Sequence, residues 1–228
     1  MEIQIIYEDA HILVCHKPSG MPVQTNKIGA MDMVSYLKQY LYRKQEVKQE
    51  PYLAVIHRLD QPVEGLLVFA KTPFAAKELS KSLQIHQFGK HYRATLCGVP
   101  KERKGRLEDY LRKDARTNTS AVCSASEKDA KKAVLFYEIE EVVEQEGEKL
   151  AKVKIQLETG RHHQIRVQMA NMGCPIWGDT KYNPFGGRQK GWQKIALCAY
   201  RLEFVHPKTK KPMIFEIEPK GEGFGLDK

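Results

Sequence analysis

The residues able to do chemistry gather in three short stretches. In the first, His57, Arg58 and Asp60 stand within four positions, Gln61-Pro62 gives a turn signal, and Gly65 opens the apolar run Leu66 to Ala70. Polar residues on a turn that feeds a buried strand are held stiffly yet face outward, which suits functional groups. Asp60 is therefore the candidate catalytic carboxylate, fit to act as nucleophile or general base. An Asp that merely caps the turn fits the same spacing. Arg58 lies two positions before Asp60, and in an extended stretch side chains two apart share a face. Glu64 lies four positions after it, and paired carboxylates at suitable separation also serve glycoside hydrolysis.

The second stretch centres on Tyr92 and the third on Arg161, His162, His163 and Arg166. Arg161 to Met172 reads as a helix, started by Thr159 or Gly160 and ended by Gly173. Its N-terminal N–H groups would favour phosphate. His162 and His163 are adjacent, so on a helix their side chains diverge, and no carboxylate or cysteine stands at ligand spacing. No metal site is expected. With no Gly-x-x-x-x-Gly-Lys-Ser/Thr loop, no nucleotide cofactor is expected either.

The elements that must position these groups follow from period and punctuation. Ile3 to Tyr7 and His11 to Cys15 read as strands joined by a Glu-Asp turn, and Lys17-Pro18-Ser19-Gly20 is turn chemistry. Asp32 to Tyr42 has helical spacing. Pro73 to Leu83 reads as a helix with Thr72 as N-cap and Pro73 in the first position, placing Phe74, Leu79 and Leu83 on the core. Tyr92 to Val99, Ala133 to Val143 and Lys149 to Leu157 read as strands, the last two meeting at a Gln145-Glu146-Gly147-Glu148 hairpin. Arg103 to Lys113 is basic with a packed edge at Leu107, Tyr110 and Leu111, and a further strand lies among the loops of Arg116 to Lys132. Asn183 to Gly187 reads as a mobile loop, followed by a basic segment from Arg188 to Lys194. Ile195 to Val205 and Met213 to Ile217 are the last strands, and the tail after Glu218 reads as loose. Many antiparallel-looking strands with few helices argue for an α+β fold.

With 228 residues the chain can bury one sizeable core and is read as a single domain spanning 1–228. Its 37 Lys and Arg against 28 Asp and Glu give a net charge of +9, which favours a polyanionic partner. Five scattered cysteines, odd in number, read as reduced thiols. The first ten residues carry three acids and no basic residue, unlike a signal peptide. No apolar run reaches membrane-spanning length, so a cytoplasmic protein without membrane contact is the expectation.

His57-Arg58-Leu59-Asp60, a glycine at 65 and a strand closing on Ala70-Lys71 resemble the central motif of the RluA-type pseudouridine synthases. Tyr7 to Val14 with Lys17-Pro18-Ser19-Gly20-Met21-Pro22-Val23 resembles the family's opening strand and Lys-Pro-x-Gly turn. Lys90-His91-Tyr92-Arg93-Ala94 resembles its Lys-x-Tyr segment. Thr159-Gly160-Arg161-His162-His163-Gln164-Ile165-Arg166-Val167, continuing through Gly173 to Asp179, resembles its Thr-Gly-Arg-x-His-Gln-Ile-Arg segment. The four stretches stand in the family's order from about Ile5 to about Glu218. Two departures are Val63-Glu64, where the family commonly has Thr-Ser, and Gln168, where it commonly has His. No extra N-terminal RNA-binding domain precedes the match.

The resemblance implies a pseudouridine synthase fold, a mixed and mostly antiparallel sheet with flanking helices and a central RNA-binding cleft. It implies isomerisation of uridine to pseudouridine in structured RNA, ribosomal or transfer, by a monomer needing no cofactor. Asp60 would react with the target uridine, through a covalent adduct or a glycal, with Tyr92 against the flipped uracil and Arg166 pairing with Asp60. His57, Arg58, Arg161 and His163 would bind the RNA, Arg58 entering the stack as the base leaves. Leu59 and Ile165 would pack beneath. The Val63-Glu64 departure motivates a rival, a non-catalytic RNA-binding protein that kept the fold. The two-carboxylate hydrolase is a third reading, which a strongly basic chain fits poorly unless its sugar polymer is anionic.

Overall fold

A computed structural model describes residues 3–27, 29–46, 49–184 and 194–225 of the chain. The first third holds β1 (Ile5–Glu8), β2 (Ile12–Lys17), α1 (Met33–Lys44), β3 (Ala54–Val55), β4 (Glu64–Ala70) and α2 (Pro73–Gln84). Then come β5 (Gly89–Cys97), β6 (Lys104–Asp114), β7 (Thr119–Cys123), β8 (Lys131–Gln145), β9 (Glu148–Leu157) and α3 (Gln164–Asn171). Strands β10 (Leu197–Val205) and β11 (Pro212–Glu216) and a 3₁₀ turn at Glu222–Phe224 close the chain. The α+β class expected from the sequence holds. Contacts divide the chain into two compact units, Met1–Gly89 with Ala199–Ile217 and Lys90–Cys198 with Glu218–Lys228.

In the first unit the strand order is β1-β2-β4-β10, with β3 beside β4 and β11 beside β10. Strand β2 is antiparallel to both β1 and β4, pairing His16 with Leu66 and Lys17 with Gly65. Every residue of β4 is buried, so the apolar run read from the sequence is the unit's central strand. A core of Ile12, Val14, Leu66, Val68, Phe88, Leu202 and Phe204 with Ala75 and Leu79 of α2 lies against it. Helix α1 starts where Asp32 accepts from the Ser35 N–H at 2.7 Å and buries Met33, Leu37 and Leu41. Helix α2 starts where Thr72 accepts from Ala75 N–H at 3.2 Å, with Pro73 at its first turn. Phe74, expected in the core, instead faces out at 47% exposure; it sits too near the helix start to follow the Ala75–Leu79 stripe and meets the His11 ring edge-on.

The turn between β1 and β2 is tied to the last hairpin. Asp9 accepts from the N–H groups of His11 and Ile12 at 2.7 and 2.8 Å, and its other oxygen lies 2.8 Å from His206 Nε2.

In the second unit the order is β5-β9-β8-β6-β7, each neighbouring pair antiparallel. The expected β8–β9 hairpin turns at Glu146 and Gly147, both with positive φ of 53° and 81°, as a tight two-residue turn requires. The basic stretch from Arg103 is mostly β6, with Leu111 buried and Leu107 and Tyr110 half-buried.

Helix α3 begins at Gln164, not at Arg161. The Gln164 carboxamide takes up the donors of the preceding turn: its Oε1 accepts from Thr159 Oγ1 at 2.8 Å and from Arg161 N–H at 2.9 Å, while Nε2 donates to Val134 O at 3.0 Å. Residues 161–163 therefore form a turn, and His163 adopts φ +54°. The tail is docked, not loose: Thr95 Oγ1 donates to Gly223 O at 2.6 Å, and Phe224 packs with Val143, Leu150, Trp177 and Ala196. A methyl on Gly223 would meet Ala196 Cβ at 2.5 Å. Asn183, the start of the expected loop, is buried, and residues 185–193 of that loop and basic segment lie outside the described residues.

Gly65 is the tightest backbone site in the first unit. Its φ is +141°, and a Cβ there would lie 2.6 Å from the N, O and Cβ of Ala199. Gly65→Ala should lose ~3 kcal/mol or more, adding backbone strain to overpacking against a neighbouring strand. Gly147→Ala, with φ +81° and nothing within 4 Å, should lose ~1 kcal/mol. Urea unfolding of both variants tests this, and equal losses would contradict it.

Candidate active site

Asp60 lies in a turn of the first unit, closed by a 3.0 Å bond from Val63 N–H to Asp60 O. A second turn, from Lys17 to Met21, is clamped to it. Gly20 N–H donates to Gln61 O at 2.9 Å, Gln61 Nε2 donates to Gly20 O at 3.0 Å, and Ser19 Oγ donates to Pro62 O at 2.7 Å. The Lys17 side chain runs beneath both. It is fully buried, and its ammonium donates to Pro18 O, Met21 O and Gln61 O at 3.0, 2.7 and 3.0 Å. Three carbonyls match the three protons of an ammonium. Burial pulls Lys17 down to about 7, while the carboxylates of Asp60 and Glu64 act to raise it.

The sequence reading named Lys17 only as part of a turn motif. The strand period could have found it: in β2 it shares a face with Leu13 and Cys15, both fully buried. The turn leaves Asp60 half-buried, Leu59 buried and Arg58 exposed. His57 is half-buried; its Nε2 accepts from Val68 N–H at 3.3 Å and its ring meets Phe88 edge-on. Glu64 is buried at the start of β4, with His16 Nε2 at 3.7 Å.

Tyr92, Arg161, His163 and Arg166 lie in the second unit. Tyr92 is buried on β5 opposite Ile155. Arg166 is buried within α3, and Asp179 grips it edge-on: Nε donates to Oδ2 at 2.8 Å and Nη2 to Oδ1 at 2.7 Å. Such a fork fixes the guanidinium plane as well as its position. The guanidinium carbon also lies over the Tyr182 ring, 5.1 Å from its centroid. Arg161 is exposed, with Nε donating to Lys132 O at 2.7 Å. His162 and His163, expected to diverge, instead stack at 3.7 Å between ring centroids because they precede the helix. His163 Nδ1 lies 2.7 Å from Tyr182 Oη and His162 Nδ1 lies 2.8 Å from Ser120 Oγ. Gln168, a departure from the expected motif, is buried and donates to Asp109 Oδ2 at 2.7 Å.

Asp179 and Tyr182 escaped the sequence reading as site residues. Asp179 was visible only as the end of a quoted motif, and nothing in its neighbourhood marks it as a partner for a residue on α3. Among the described residues, no group of three or more His, Cys, Asp or Glu is placed to hold a metal ion, and no helix is long and apolar enough to cross a membrane.

Two consequences can be measured. Lys17→Met takes the ammonium from Pro18 O and Met21 O and leaves Gln61 O with the Gly20 N–H alone, and it should lose ~3 kcal/mol in urea unfolding; a loss below ~0.5 kcal/mol would show that the ammonium does not hold the turns. His163 is pushed down to about 3 by burial, then by Arg166, His162, Lys181 and Lys113. Unfolded, it titrates near 6.5. Between those values the unfolded chain binds a proton that the folded chain refuses, so the stability tied to neutral His163 is whole above pH 6.5 and falls toward pH 3. Wild type should therefore lose stability faster than His163→Asn as pH drops from 6.5 to 4. Parallel curves would contradict it.

Comparison with known proteins places this geometry. A family described as RNA pseudouridylate synthase matches residues 11–171. An uncharacterised RNA pseudouridine synthase of Bacillus subtilis is 32% identical over 216 residues, 94% of this chain and 68% of that protein. The ribosomal large subunit pseudouridine synthase D of Pseudomonas aeruginosa is 33% identical over 239 residues, 98% of this chain and 70% of that protein. Among solved structures, human RNA pseudouridylate synthase domain containing 4 superposes with a TM-score of 0.76 at 23% identity, covering 94% of this chain and 88% of that one. Human RNA pseudouridylate synthase domain containing 1 gives 0.77 at 22%, covering 96% and 84%. The two human structures establish the fold, and the match to the family over residues 11–171 establishes more: this chain belongs to the RNA pseudouridylate synthase family.

Proposed function

We propose that this chain isomerises uridine in structured ribosomal or transfer RNA with Asp60 as the reacting carboxylate and Tyr92 and Arg166 as its partners. The observation that carries the reading is the turn itself. In a member of this family, the single carboxylate of the His57–Asp60 motif sits on a backbone locked to a second turn and stands near a buried ammonium. A group fixed in this way meets substrate without first being ordered.

In the reaction the bond from C1′ to N1 breaks, the uracil rotates, C1′ rejoins through C5, the C5 proton leaves to water and N1 takes up a proton from water. Atoms and electrons balance and no oxidation state changes, so no redox cofactor is called for. Asp60 either bonds to the nucleotide or takes a sugar proton to give a glycal. Tyr92 stacks on the uracil and offers its hydroxyl for proton transfer. Arg166 keeps the carboxylate ionised, as an opposite charge does. Arg58, exposed on the same turn, takes the place of the departing base, while His57, Arg161 and His163 hold the RNA. Basic side chains on and beside β6, such as Lys113 and Arg116, extend the contact to phosphates. We place the protein in the cytoplasm as a monomer. Relatives named for the large ribosomal subunit make that RNA the first substrate to try.

The test is tritium release from C5-labelled uridine in an unmodified large-subunit RNA transcript. Wild type should release tritium, and Asp60→Asn should lower the rate by at least ~10⁴-fold, a loss on the scale of a deleted nucleophile. Equal rates from both proteins would remove Asp60 from the chemistry. RNA binding with no release from any transcript would favour the non-catalytic alternative.

A further inference from the structure

The segment 176–183 makes contacts that neither the isomerisation nor the family match assigns. Asp179 Oδ1 accepts from Arg166 Nη2 and also from the backbone N–H groups of Lys181 and Tyr182, at 2.9 and 3.2 Å. Asn183 N–H donates to Asp179 O at 3.1 Å, and its side chain donates to Ile176 O at 3.1 Å. The carboxylate that seats the guanidinium thereby also shapes the turn that delivers Tyr182.

Tyr182 touches two of the proposed site residues in different ways. Its ring lies under the Arg166 guanidinium at 5.1 Å. Its hydroxyl oxygen accepts from the Ser120 N–H at 2.8 Å and lies 2.7 Å from His163 Nδ1. A phenol carries one proton. Ser120 N–H takes one lone pair of the oxygen, and the 2.7 Å contact with Nδ1 is then made either by the hydroxyl proton or by an Nδ1–H to the second lone pair. In the first arrangement Nδ1 is the bare nitrogen of a neutral ring and the imidazole proton sits on Nε2. Ser120 is itself held on β7, its own hydroxyl 2.8 Å from His162 Nδ1, whose ring stacks on His163. The left-handed backbone of His163 further restricts where its ring can point.

We propose that Tyr182 is a positioning residue that acts through two neighbours, fixing His163 as the Nε2–H tautomer with its hydroxyl and backing with its ring the Arg166 guanidinium that Asp179 orients. This rests on the reading that Arg166 and His163 serve the isomerisation, and it adds a residue outside the four matching motifs. The hydroxyl and the ring are separable: Tyr182→Phe removes the first and keeps the second, whereas Tyr182→Leu removes both.

The experiment has an arm that needs no RNA. Long-range ¹⁵N–¹H correlation spectra of ¹⁵N-histidine protein, with His163→Asn to assign the ring, report which nitrogen carries the proton. Wild-type His163 should be Nε2–H, and Tyr182→Phe should show both tautomers or Nδ1–H. The second arm is single-turnover pseudouridine formation on the large-subunit transcript. Tyr182→Phe should slow the chemical step by about 10-fold with RNA affinity within about 2-fold, and Tyr182→Leu should slow it further. A wild-type Nδ1–H ring, or His163 spectra unchanged in Tyr182→Phe, overturns the proposal whatever the RNA result. An Asp60→Asn enzyme that stays active sinks the catalytic reading and leaves the tautomer result standing, so the two failures are distinct.

Discussion

A buried ammonium organises the first unit. Removing an unpaired cation from water costs several kcal/mol even after relaxation, so a buried lysine persists only where its surroundings repay the loss. At Lys17 the repayment is structural. Pro18 and Met21 on one turn and Gln61 on the other give it a carbonyl for each proton, and a charge-assisted bond is worth roughly twice a neutral one. The chain can satisfy the cation only by bringing residues 44 positions apart to one point. Everything that makes Asp60 a plausible reacting group follows from that requirement: the rigid turn, the buried Leu59 and the nearby positive charge.

The second unit meets a comparable constraint with an ion pair. Arg166 is buried on α3, and both an edge of its guanidinium and the backbone of the following turn are satisfied by Asp179. A buried pair of this kind adds little net stability against an apolar replacement but costs much if one partner is lost. Its value lies in geometry. A forked contact allows one orientation of the plane, and the guanidinium carbon lies over the Tyr182 ring. A lysine at 166 could carry the charge without that orientation.

What was legible in the sequence is what short-range chemistry decides. The buried strand at Leu66 to Ala70, which β4 extends back to Glu64, the Thr72-Pro73 helix start and the Glu146-Gly147 hairpin are written in neighbouring residues, and they form where they were read. Two of the errors come from side chains that reach beyond their own element. Gln164 delays α3 by bonding back across a turn and to Val134 of β8, which no helical period reveals. The tail docks because Thr95, Ala196 and Trp177 accept a glycine-sized 3₁₀ turn. The stretches carrying Asp60, Tyr92 and Arg166 could be picked out by motif and order. Lys17, Asp179 and Tyr182, which hold such residues in place, make their contacts through folding and leave only a faint mark in the linear text.

The Val63-Glu64 departure bears on function in the same terms. Where Thr-Ser is common, this chain puts an apolar residue that is 2% exposed and a carboxylate that is 8% exposed. The charge of Glu64 acts on Lys17, which it helps to keep protonated, and His16 Nε2 stands 3.7 Å from Glu64 Oε2. The extra negative charge thus strengthens the ammonium that locks the Asp60 turn. The same placement weakens the two-carboxylate hydrolase, because a hydrolytic partner must reach a water beside the substrate, and Glu64 is enclosed at the root of β4.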